Sequence, residues 1–279
     1  MNWVMEHRLT PVGGRRLETV RVRVKSPRGL IFVPPLIGGD AAQQVRYFRR
    51  LIRMGYDFLS FSYPGHGRST DRFSHAAAVR STKALLRQVD RENRSDGLPM
   101  AGIACCYGAI PLIFGNSRLE SPLKKLVLIN AVFDLSARAA LTSFLRYCRE
   151  IHGRRGGLPP FRGLLQRYLD FMFPNVQKNR HAFGSLHRRR IRLFRTFMDV
   201  LFLEPLAAVR QHRTRALCLY GREDNILRLY GAGYPASYEE TVRRIFPDVA
   251  FQPLPGDHFL SCPRTRDETL LQIRSFFER

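Results

Sequence analysis

Lysine is scarce in this chain. Five positions (Lys25, Lys83, Lys124, Lys125 and Lys178) carry it among 46 basic residues, which leaves 41 arginines. Acidic residues number 23, so the formal net charge is +23. No run of eighteen apolar residues occurs, and the longest greasy stretch lies near Leu126 to Phe133, which argues against a transmembrane span. The segment Met1 to Arg8 lacks an apolar h-region of signal-peptide length. Cysteines number five, an odd count, and Cys105 and Cys106 are adjacent. Neighbouring cysteines close only a strained ring, so a disulfide framework is not expected and a reducing cytoplasm is the expected location. No metal-binding cluster and no Gly-rich dinucleotide motif after a strand is visible, so no tightly held cofactor is expected. Zinc-ligand spacing and RNA-binding signatures are missing too, which speaks against a nucleic-acid partner.

What is there reads as a globular enzyme-sized domain. The chain has 279 residues, 44% of them hydrophobic, enough for one sizeable core with a modest insertion. Val20 to Val24 alternates with period two, as a half-exposed strand does. Short apolar runs at Gly29–Val33, Asp57–Tyr63, Pro99–Cys105, Lys125–Val132, Arg215–Tyr220 and Val249–Leu254 predict further strands. Between them, helices are predicted from Asp40 to about Met54, where Gly55 ends the run, over Ala76–Glu92, and from about Tyr107. A last helix is expected over roughly Arg266–Glu278. This alternation predicts an α/β fold with a mostly parallel sheet and helices on both faces. It breaks between about Ser136 and His212, where helix-like pieces at Ala137–His152, Phe161–Phe173 and Leu186–Leu203 suggest a helical insertion. From Ser136 to Arg215 there are 17 basic and 4 acidic residues, a net of +13. An arginine-rich coding bias accounts for much of the overall charge, but does not by itself predict that clustering. An anionic partner of the insertion is the functional reading.

The segment Gly102-Ile103-Ala104-Cys105-Cys106-Tyr107-Gly108 carries the chemistry. A buried strand here turns directly into a helix. A nucleophile on so tight a turn needs small residues two positions away on each side, and Ala104 and Gly108 meet that need around Cys106. Registering Cys105 instead would set Tyr107 at a position that must be small, so Cys105 reads as a small apolar residue closing a core strand. The helix start favours a thiolate at Cys106. The Tyr107 N–H can face a developing oxyanion.

Together with three other segments, this elbow resembles the α/β-hydrolase superfamily. Phe32-Val33-Pro34-Pro35-Leu36-Ile37-Gly38-Gly39 is similar to the family's loop after its third strand, with Pro34-Pro35 where His-Gly is usual. The resemblance implies that Leu36 supplies a second oxyanion-hole N–H; Pro35 has none to give. Tyr63-Pro64-Gly65-His66-Gly67-Arg68-Ser69 resembles the turn after the fourth strand, where His66 is read as structural. Gly221-Arg222-Glu223-Asp224 is similar to the family's Gly-x-x-Asp segment, which implies Asp224 as the triad acid, with Asp134 as a rival after the preceding strand. Pro255-Gly256-Asp257-His258-Phe259-Leu260 resembles the final loop, which implies His258 as base. Glu223 and Asp257 are out of register with these motifs. The order nucleophile, acid, histidine is the superfamily's.

The resemblance implies an α/β-hydrolase core over 1–135 and 213–279, with a helical, Arg-rich lid insertion over 136–212. It also implies an acyl hydrolase or acyltransferase that works through an S-acyl-enzyme on Cys106. An acyl thioester linked to CoA or a carrier protein is the expected substrate, because a thiolate exchanges one thioester for another near balance. A carboxylester or lactone hydrolase is the alternative, and a catalytically silent relative acting as a binding module is a third reading. Peripheral contact with an anionic membrane is a further expectation of the basic lid.

Overall fold

A computed structural model describes residues 3–117, 119, 123–133, 137–155, 159–172, 212–230, 233–258, 260 and 262–279. Eight strands form one sheet: β1 (Trp3–Val12), β2 (Arg15–Val24), β3 (Leu30–Val33), β4 (Asp57–Phe61), β5 (Met100–Cys105), β6 (Lys125–Ile129), β7 (Arg215–Gly221) and β8 (Val249–Leu254). Their spatial order is β1-β2-β4-β3-β5-β6-β7-β8. The pairs β1–β2 and β2–β4 are antiparallel; from β4 to β8 every pairing is parallel. The central strands β3 and β4 are buried along their whole length, as strands covered on both faces must be.

Side chains from successive strand residues go to opposite faces. Leu30, Phe32, Leu126 and Leu128 join one core cluster, which also takes Leu85, Leu86 and Val89 of α3 (His75–Asp96) and Leu112 and Ile113 of α4 (Ala109–Asn116). Ile31, Val33 and Val127 join the other, with Val45 of α1 (Ala41–Tyr47), Leu51 of α2 (Arg49–Arg53) and Leu270, Ile273 and Phe276 of the C-terminal helix (Pro263–Glu278). Helices thus cover both faces, as the alternation predicted.

Several elements differ in detail. Asp40 caps α1 through its side chain, which accepts from Gln43 N at 2.8 Å, but the single predicted helix is broken at Phe48 into α1 and α2. β1 is a sheet edge that the sequence did not announce, since its exposed Val4 and Met5 spoil a clean alternation. Of the predicted insertion, α5 (Ala137–Arg155) and α6 (Phe161–Met172) lie between β6 and β7 in sequence; the piece at Leu186–Leu203 lies outside the described residues. α7 (Asn225–Tyr230) and α8 (Ala236–Ile245) separate β7 from β8, and the C-terminal helix, α9, begins at Pro263, with proline in its first turn where no N–H is needed. Among the described residues no helix is long and apolar enough to cross a membrane.

Candidate active site

Parallel strands carry their loops to a common carboxyl edge, and side chains from different strands meet there. β5 stops at Cys105, and Cys106 starts a single 3-10 turn, Cys106–Gly108, that leads into α4. Cys106 has φ 51, in the left-handed region. A residue with a Cβ enters it at a cost of about 1–3 kcal/mol and stays only where its surroundings over-determine it. The elbow is held on both sides. The Cys106 carbonyl accepts from Val132 N–H at 3.2 Å, and Tyr107 is fully buried with its hydroxyl 2.9 Å from His75 Nδ1.

The need for a small residue at 108 has a visible cause. A Cβ on Gly108 would sit 3.1 Å from the Pro35 carbonyl oxygen and 3.3 Å from that of Pro34. The loop after β3 therefore passes directly against the elbow. Next along it, Leu36 N–H donates to no acceptor among the described residues. Tyr107 N–H belongs to the set that a helix start leaves without internal partners. Both expected oxyanion donors are thus uncommitted backbone groups on adjoining segments.

The expected acid and base follow β7 and β8. Asp224 follows the end of β7 and is fully buried. Its Oδ1 accepts from Ile226 N–H at 2.9 Å and Leu227 N–H at 3.0 Å, so the carboxylate caps α7 and cannot swing. Its Oδ2 lies 2.7 Å from His258 Nδ1. His258, on the loop after β8, has a side chain only 4% exposed. Burial alone would depress its pKa. The charge of Asp224, its hydrogen bond to the ring and the nearby Cys106 outweigh burial and hold the imidazole well above its ordinary value. With Nδ1 committed to Asp224, Nε2 is the nitrogen left to meet the thiol. Cys106, Asp224 and His258, distant in sequence, are brought together.

The rival residues are occupied elsewhere. Cys105 packs against the opposite core cluster, and burial, helped by the neighbouring Cys106, pushes its thiol up to about 12. His66 is buried between the rings of Tyr63 and Phe73, and burial lowers it to about 4, which fits the structural reading. Glu223 accepts the Gly256 N–H at 2.5 Å, so its carboxylate braces the histidine loop from outside. Asp257 offers its carbonyl to Leu260 N–H and to Asn130. Asp134, the alternative acid, lies outside the described residues.

Sequence reasoning overlooked Asn130, at the end of β6. Its backbone is left-handed, φ 45, a conformation asparagine tolerates better than most residues. Its side chain reaches both the end of β7, just before Asp224, and the loop that holds His258. The available signal was an amide residue closing an apolar strand run.

Comparison with known proteins agrees with this architecture. The model of the alpha/beta hydrolase family matches residues 30–265. No curated protein matches the sequence. Among solved structures, a lipase in its open form is similar at 12% identity and a TM-score of 0.68, covering 100% of this chain and 99% of the other. An esterase from Pyrococcus furiosus is similar at 15% identity and a TM-score of 0.68, covering 100% and 91%. The enol-lactonase from Burkholderia xenovorans LB400 is similar at 13% identity and a TM-score of 0.64, covering 98% and 100%. At such identities these structures speak to the fold. The family model spans most of the chain, and on that ground the chain belongs to the alpha/beta hydrolase family.

Proposed function

We propose that the protein is an acyl hydrolase or acyltransferase that works through an S-acyl-enzyme on Cys106, with acyl thioesters as its substrate class. The observation that carries this reading is the convergence of a backbone-strained Cys106, a buried His258 and a buried Asp224 at the carboxyl edge of the sheet.

Asp224 fixes the His258 tautomer with the proton on Nδ1 and stabilises the ring when it is charged. His258 takes the Cys106 proton, and the sulfur attacks an acyl carbonyl. The new oxyanion faces the Tyr107 and Leu36 N–H groups, each worth about 3–4 kcal/mol in such holes. Collapse expels the leaving thiolate, which takes the proton from His258. Water, or another acceptor, then attacks the S-acyl bond with His258 as base and restores the thiol.

Sulfur decides the substrate class. Thiolate is a better leaving group than alkoxide, so attack by Cys106 on a plain ester runs uphill, while attack on a thioester is nearly balanced. The proposed lid over 136–212 suits such a substrate. Exposed Leu141, Leu145 and Phe161 stand beside exposed Arg138, Arg149 and Arg162 on α5 and α6, offering apolar and cationic contacts together. An acyl chain on an anionic carrier, CoA or a carrier protein, has both chemistries; an anionic membrane surface is the other proposed partner.

A carboxylester or lactone hydrolase is the second reading, favoured by the similarity to a lipase, an esterase and an enol-lactonase. Incubation with acyl-CoAs of graded chain length, read by intact mass, tests the first. A single acyl adduct that disappears in Cys106→Ala supports it. Faster turnover of matched oxoesters than thioesters favours the second reading, and no adduct or turnover with either class overturns both.

A further inference from the structure

We infer that Asn130 is a positioning residue that sets the spacing between Asp224 and His258. The inference rests on the reading of that pair as acid and base. Asn130 follows the end of β6, the strand beside β7, whose own end carries Asp224, and is buried. Its Oδ1 accepts the Gly221 N–H at 2.7 Å, three residues before Asp224. Its Nδ2 donates to the His258 carbonyl at 2.8 Å and to the Asp257 carbonyl at 3.3 Å. Its own N–H donates to Leu219 O at 2.9 Å, which anchors the residue to β7. One amide therefore grips the root of the acid on one side and the backbone of the base itself on the other.

The chemistry of the amide suits that task. The contacts need one acceptor and two donors on a single planar group, and among short side chains only asparagine has both. A carboxylate of the same shape would place a negative oxygen against two carbonyl oxygens. Elsewhere the histidine loop is held through backbone groups, by Glu223 at Gly256 and by the Thr265 hydroxyl at the Pro255 carbonyl, both upstream of His258. Asn130 grips His258's own peptide carbonyl. Loss of its donors leaves that buried carbonyl without this partner and lets the ring drift from Asp224. A misplacement of about 1 Å can cost about 100-fold in rate.

The test uses Asn130→Asp, which keeps the shape and removes both donors, and Asn130→Gly, which keeps the left-handed backbone and removes the side chain. Two readouts apply to each folded variant. The first is the far-downfield proton resonance of His258 Nδ1–H against Asp224, assigned by its loss in His258→Ala; it needs no substrate. The second is kcat and KM on whichever acyl probe the wild type turns over. The expected result is a broadened or lost resonance in both variants, with kcat down about 10–100-fold and KM little changed. A folded variant of either kind that keeps the wild-type resonance and kcat overturns the inference. If the wild type turns over no acyl probe, the proposed activity fails by itself, and the resonance alone still decides whether Asn130 positions the pair.

Discussion

Two histidine–carboxylate contacts of the same length, 2.7 Å, lie toward opposite edges of this sheet: His258 with Asp224, and His7 with Glu18. Distance does not separate them. The His7 side chain is 38% exposed, against 4% for His258. Glu18 spends its other oxygen on structure, accepting from the Ser62 hydroxyl at 2.7 Å and Arg68 N–H at 3.0 Å, so that this pair fixes the turn over 62–69. Asp224 also spends an oxygen on structure, at the start of α7, but its imidazole has a third party in Cys106. In the proposed reading, a carboxylate–imidazole contact becomes a catalytic pair when water is excluded and a nucleophile can approach the far nitrogen. Without those two conditions it is a brace.

Removing each imidazole gives the widest separation. His258→Ala should lower kcat about 10⁴–10⁶-fold, the scale of losing a triad member, while His7→Ala should leave kcat close to wild type. Steady-state kinetics on the acyl substrate reads both, and equal losses would erase the distinction. Gly221→Ala should come next. Its new Cβ would lie 2.3 Å from the Gly256 oxygen and 2.9 Å from the Asp257 oxygen, so the base-bearing loop must move. We expect kcat to fall about 100-fold with the protein still folded, as followed by kinetics beside circular dichroism.

The smallest effect belongs to the brace. Burial raises the Glu18 carboxyl, but hydrogen bonds from Ser62, Arg68 N–H and His7, with the charge of His7, prevail and hold it below the ordinary value. Its contribution is therefore present above about 4.5 and is lost as pH falls through the lower folded value. Glu18→Gln should cost about 1–3 kcal/mol at pH 7, with the difference shrinking on acidification and kcat hardly changed. Denaturant unfolding at several pH values checks this. A penalty that grows in acid would contradict the sign.

Short local patterns were legible in the sequence, and contacts across the fold were not. Cys106, Asp224 and His258 each stood in a recognisable strand-to-loop segment, and β8 kept its expected bounds, closed by Pro255-Gly256. The small residue at 108 was expected, while its cause, the Pro34-Pro35 carbonyls, is visible only in three dimensions. Glu18 reads as an ordinary charged residue on an alternating strand; its partners lie 44 and 50 positions away. Asn130 reaches 91 and 128 positions along the chain. The break at Phe48 has neither glycine nor proline to announce it, and the apolar period runs through it unchanged.

The central claim concerns the sulfur of Cys106, and its alkylation by iodoacetamide near neutral pH tests that claim most directly, with modified sites mapped by peptide mass. The expected result is rapid, selective carboxamidomethylation of Cys106, slowed sharply in His258→Ala and unaltered in His7→Ala. Labelling of Cys106 at the same rate in all three proteins, or no labelling there at all, would contradict it.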